Sequence, residues 1–215
     1  MSPQDNQDLV KPKLRGVLHL IGALIALPAV VALYRQSSDA LSFASLIYSI
    51  SLVGLLATSA TYHVPDWSPK RRGLLRKIDH AMIFVLIGGS FLPFLVALGG
   101  KVFFVFPWLI ALGTLVGVLR SLFMEVSSKA VRAASYGSLG LAGLLLIPSI
   151  YQHLGPQPLT LVLVGGAIYG LGATTYARKT PNLVKGIFEY HELFHLCVNI
   201  AAGLHFWAIW GVVSA

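Results

Sequence analysis

Seven stretches of this sequence are each about twenty residues long and almost wholly apolar, and few folds accommodate that repetition. They run approximately Val17–Tyr34, Leu41–His63, Ile78–Leu98, Val102–Leu122, Ala133–Gln152, Pro158–Ala177 and Tyr190–Val213. About 20 apolar residues make a helix that crosses the hydrocarbon core of a bilayer. Together the stretches consume most of the 215 residues, leaving no room for a separate soluble domain. Only 11% of residues are charged, against about 25% in ordinary soluble domains. The expected fold is all-α: a single polytopic membrane domain of seven transmembrane helices over residues 11–215, after a polar, disordered Met1–Val10.

The first stretch has the basic flank of a signal peptide (Lys11, Lys13, Arg15). Its length and the six spans behind it argue instead for a retained helix. One cysteine, Cys197, excludes an intrachain disulfide.

A net charge of +8 invites a nucleic-acid reading, but its distribution opposes that. Lys11, Lys13 and Arg15 precede span one; Lys70, Arg71, Arg72, Arg76 and Lys77 lie between spans two and three. Arg120, Lys129 and Arg132 follow span four, and Arg178, Lys179 and Lys185 follow span six. The other connections hold only Arg35 and Lys101, fourteen cations against two. By the positive-inside rule the N-terminus is cytoplasmic and the C-terminus outside. A multi-pass protein of the plasma (inner) membrane is expected, with no nucleic-acid partner and with anionic lipid headgroups as secondary partners.

That orientation sets the depth of each polar side chain. His63 ends span two, Asp79 starts span three, and His191 and His195 start span seven. All four therefore fall at the cytoplasmic end. Ionisable groups in a membrane are costly and are functional candidates by default. His191 and His195, four residues apart, share a helix face, which presents two nitrogens to one metal ion. Ser59 sits one turn deeper than His63 on the same face. Three neutral imidazoles with a fourth position left to water form an open zinc site, in which a carboxylate can take the water's proton. Asp79 is the candidate for that base, or for a group that orients the water; taken alone it would read as the cap of span three.

The string His191-Glu192-Leu193-Phe194-His195 also admits an intramembrane metalloprotease with Glu192 as general base. Any third ligand must then lie upstream, and Glu192 points about 100° away from His191, toward a neighbouring helix or the headgroups. His205 lies about 21 Å deeper than His191 and cannot share its metal. His19 and His153 read as packing or interfacial residues, and His80 points away from Asp79. Asn199 continues the histidine stripe, either supporting the site or bonding another helix. Gly113-x-x-x-Gly117 and Gly166-x-x-x-Gly170 suggest close helix approach. Pro28, Pro93 and Pro148 are tolerable kinks, and Trp207 and Trp210 fit an aromatic belt. A retinal protein is excluded because Tyr190–Ala215 contains no lysine. A G-protein-coupled receptor would place its N-terminus on the opposite side.

Ser59-x-x-x-His63, Asp79 at the start of the next span and His191-x-x-x-His195 in the last resemble the signature of the hemolysin III family. Ala60-Thr61-Tyr62-His63, Asp79-His80-Ala81-Met82-Ile83-Phe84 and Gly89-Ser90-Phe91-Leu92-Pro93 strengthen the resemblance, which spans residues 11–215. The family groups with the progestin and adipoQ receptors, including adiponectin receptors, and more distantly with alkaline ceramidases. The resemblance implies a seven-helix bundle holding Zn2+ near the inner leaflet through His63, His191 and His195, with Asp79 and Ser59 beside it. It further implies ceramidase-like hydrolysis of a membrane-lipid amide or ester and a part in membrane lipid or energy homeostasis; cytolysis is the activity in the family's label. The small extramembrane content is similar to the hemolysin III branch rather than the receptors. A zinc-stapled receptor, channel or stress regulator without turnover is the alternative expectation.

Overall fold

The computed structural model describes residues 11–124 and 128–214, so the expected disorder of Met1–Val10 lies outside the described residues. Seven helices are long and apolar enough to cross a membrane. The α-helices are α1 (Val17–Gln36), α2 (Asp39–His63), α3 (Pro69–Leu98), α4 (Gly100–Phe123), α5 (Lys129–Leu141), α6 (Ile147–Leu154), α7 (Pro156–Arg178) and α8 (Tyr190–Val213), with α5 and α6 sharing one span. Among the described residues there is no strand beyond one isolated bridge between Val184 and Phe188.

The fifth span is broken. A 3-10 segment, Ala142–Leu146, separates α5 from α6 where one continuous helix was expected. Pro148 supplies the reason: it lacks an N–H, and its ring crowds the carbonyl four residues earlier, at Leu144. Ala142–Leu154 still crosses with α5 as one span, Lys129–Leu154. The third span differs in the other direction. Its helix begins at Pro69, so Asp79 is well inside α3 and does not cap it. Thirty residues extend about 45 Å, against a hydrocarbon core of about 30 Å, so the first turns of α3 lie in the headgroup layer.

Consecutive helices pack side by side, α1 on α2, α2 on α3, α3 on α4 and α7 on α8, and α8 closes the circle against α1. Because α3 also touches α5, α6 and α8, it is the central element. In α2, α3 and α8, 44% of the most apolar window is buried inside the bundle, against 11% in α4. The three most enclosed helices are therefore those carrying Ser59 and His63, Asp79, and His191 and His195. Large apolar side chains such as Leu24, Ile25, Phe43, Trp108 and Trp207 are more than half exposed on the outside, the surface a bilayer covers.

Small residues set the close contacts, but not all the expected ones. A Cβ on Gly117 would lie 2.2 Å from Phe84, and one on Gly113 would lie 2.7 Å from Leu139, so the first glycine pair does seat neighbours. Gly166 and Gly170 face open space. The α7–α8 contact instead uses Gly165, against His205, and Gly172, against Cys197 and Phe194. These two are seven residues apart and share a face, different from that of the expected pair.

Residues Lys11–Gly16 form a strap across the basic end of the bundle. Lys13 N donates to Gly186 O at 3.1 Å, and Lys11 Nζ donates to Val64 O at 2.7 Å and to Asp66 at 3.2 Å. The strap turns into α1 at Gly16, whose φ is +83°. A Cβ there would lie 2.5 Å from His63 Cβ, so glycine meets both a left-handed turn and a close approach.

Candidate metal centre

His63, the last residue of α2, and His191 and His195, in the first two turns of α8, meet inside the basic end of the bundle. Each of the three offers a donor atom, and these atoms lie within 4.8 Å of one another. His63 Nε2 and His191 Nε2 are 3.3 Å apart. The ring centroids form a nearly equilateral triangle: 4.8 Å for His63–His191, 5.0 Å for His63–His195 and 4.6 Å for His191–His195. Three imidazoles have no reason to converge edge to edge in an apolar interior for packing alone. Nitrogens bound tetrahedrally at about 2.0–2.1 Å from zinc would stand about 3.4 Å apart, so the observed spacing suits one shared ion after small ring movements. His195 Nδ1 is also buried without a hydrogen-bond partner. The residues fit: this group can hold a metal ion.

Asp79 is buried, with Oδ2 4.0 Å from His63 Nε2. Ser59, 2% exposed on the same face of α2 as His63, interacts with the Asp79 carboxyl through its hydroxyl. All five residues singled out from the sequence are thus drawn to one place by three helices.

Glu192 has a different task. Its Oε1 accepts from Arg15 Nε of the strap, and its Oε2 accepts from the Glu189 backbone N–H at 2.9 Å. The Glu189 carboxylate caps α8 reciprocally and also accepts from Gly186 N–H at 2.9 Å. Glu192 therefore closes a capping box and anchors the strap, with both oxygens engaged in those bonds.

One residue read from the sequence as packing or interfacial, His19, proves to be a neighbour of the centre. His19, in the first turn of α1, stacks on His195 with ring centroids 3.9 Å apart and planes 10° from parallel. Beyond a weak approach to the His195 backbone, neither ring nitrogen makes a hydrogen bond of good geometry. The signal was available, because His19 starts its span at the same end as the other site residues. Asn199 resolves as an interhelical tie: its Nδ2 donates to Leu18 O at 2.7 Å, fixing α8 to the turn that carries His19. His205 bonds Val162 O at 3.2 Å, and His153 bonds Ser149 O at 3.0 Å, both far from the centre.

Seven membrane-crossing helices and a trio of histidines, two buried and one half-buried, able to hold a metal define a multi-pass membrane protein with a candidate metal centre. The chain belongs to the Haemolysin-III related family, whose model matches residues 7–206. It is 28% identical over 190 residues to "Hemolysin-3 homolog" of Bacillus subtilis (strain 168), covering 84% of each chain. It is likewise 28% identical over 204 residues to human "Monocyte to macrophage differentiation factor", covering 87% of this chain and 79% of that one. The likeness extends to "Adiponectin receptor protein" of Drosophila melanogaster, 28% identical over 219 residues, or 89% of this chain and 48% of that protein.

Proposed function

We propose that this protein is a zinc-dependent hydrolase of an amide or ester bond in a membrane lipid, acting at the cytoplasmic end of a bundle in the plasma (inner) membrane. The observation that carries the reading is the convergence of His63, His191 and His195 beside a buried carboxylate that has its own hydroxyl partner. Zinc bound there would supply Lewis acidity toward a carbonyl oxygen and toward water. Neutral imidazole ligands would leave the ion's positive charge undiminished. Asp79 accepts a proton from water and returns it to the leaving amine or alcohol. Ser59 holds Asp79 in orientation by hydrogen bonding. Burial of Ser59, His63, Asp79 and His195 keeps bulk water away from the exchange.

Depth supports a lipid substrate. The donor residues lie within about two turns of the bundle's basic end, the interfacial level where lipid amide and ester linkages reside. The Lys and Arg asymmetry supports the cytoplasmic assignment of that end. Such an activity would serve membrane lipid or energy homeostasis.

The test compares wild type with Asp79→Asn, both purified, zinc-loaded and incubated with a mixed membrane-lipid extract. Both should carry about one zinc per chain, and only the wild type should release lipid products by mass spectrometry. Equal products from the mutant, or none from the zinc-bound wild type, would defeat the hydrolase reading. Zinc would then act as a clamp joining α2 to α8.

A further inference from the structure

A polar cavity of about 420 Å³ opens between α3, α4 and α5 at the basic end of the bundle. It shares no lining residue with the metal centre. Four cations from three helices surround it: Arg76 and Lys77 of α3, Arg120 of α4 and Arg132 of α5. Among the described residues, no Asp or Glu lines it. Its volume falls in the range of small-molecule sites. Like charges gathered around one hollow repel each other, and an anion inside relieves the repulsion.

We infer that this cavity binds a phosphate group, foremost that of an anionic lipid headgroup. Arginine presents a planar fork of donors that matches phosphate oxygens, and three of the four cations are arginines. The hydroxyls of Ser121 and Ser135 already donate to Gly117 O at 2.9 Å and Arg132 O at 2.7 Å, so charge, not serine donors, holds the ligand. Arg132 also donates to the Tyr176 hydroxyl at 3.2 Å, which steadies one wall. Below the cations, Phe84 packs edge-on to Tyr136 at 4.9 Å and sits against Gly117, giving an aromatic lining beneath the charged rim. Arg76 and Lys77 are in the part of α3 that overhangs the hydrocarbon core, and Arg120 and Arg132 lie in the last and first turns of their helices. The cations therefore stand at headgroup depth, where a phosphodiester enters sideways from the bilayer and a free phosphate enters from water.

Native mass spectrometry of the full chain tests this with phosphatidylglycerol, phosphatidylcholine of the same acyl chains, and inorganic phosphate as competitor. The wild type should retain one phosphatidylglycerol and no phosphatidylcholine. Arg76→Gln with Arg120→Gln should weaken that binding about tenfold or more, with zinc content unchanged. Lys70→Gln with Arg71→Gln removes the same charge from the exposed start of α3 and should change it less than about twofold. Inorganic phosphate bound with the same residue dependence, without retained lipid, would assign the ligand to the aqueous side. Unchanged binding in the cavity pair, or equal weakening by both pairs, would overturn the site. Should the cavity pair fail to fold, the single Arg120→Gln carries the same comparison, with a loss of about threefold or more expected.

Discussion

Replacing Gly16 by alanine should loosen the metal centre without touching a ligand. Two effects add. The residue holds φ at +83°, a region that costs a non-glycine residue about 1–2 kcal/mol. The new methyl would also lie 2.5 Å from His63 Cβ, where carbon atoms prefer about 3.5–4.0 Å. Either the strap or the end of α2 must retreat by about 1 Å, and the strap is tethered at Lys11, Lys13 and Arg15. Metal–ligand bonds tolerate only about 0.2 Å, so a displaced His63 should lower zinc affinity by about 10- to 100-fold. A chelator-competition titration in detergent reads that change. Gly73→Ala is the control, since nothing lies within 4 Å of its Cβ position. Zinc affinity of Gly16→Ala within about twofold of wild type would refute the reasoning that the strap positions His63.

Other outcomes follow from the same contacts. Glu192→Gln should keep lipid turnover and zinc, because Glu192 caps α8 and binds Arg15, whereas loss of turnover with zinc retained would revive it as a general base. Glu192→Ala should destabilise the fold by about 1–3 kcal/mol through the lost cap and charged hydrogen bond, seen as a lower unfolding midpoint. Gly165→Ala and Gly172→Ala should each cost about 1–3 kcal/mol by overpacking α7 against α8, while Gly166→Ala and Gly170→Ala should not destabilise; a reversed order in thermal unfolding would contradict the packing described.

Much of this architecture is legible from the residues alone, because a spanning helix must be long and apolar and its polar exceptions stand out. His63, Asp79, His191 and His195 could be grouped by depth, since helix rise converts sequence position into height. Which face of a helix turns inward is a harder question. Lipid tails and a bundle interior are both apolar, so α7 gives no contrast to favour Gly165 and Gly172 over Gly166 and Gly170. Depth alone puts His19 at the right end of the bundle, but a single histidine has no spacing partner on its own helix, and its stack on His195 exists only through the α1–α8 contact. The strap could not be foreseen because its bonds run to residues about 50 and 170 positions away and are mostly to backbone atoms. The break in the fifth span had a visible cause in Pro148, but a proline in a membrane helix can equally give a kink.

The central claim is that imidazoles from α2 and α8 share one zinc ion. X-ray absorption at the zinc edge of the purified, untagged protein tests it directly. Three nitrogen scatterers with imidazole outer-shell features at about 2.0–2.1 Å, completed by oxygen, are expected, reduced by one imidazole in His63→Ala. A protein that retains no zinc, or whose zinc spectrum is unchanged in His63→Ala, would contradict the account.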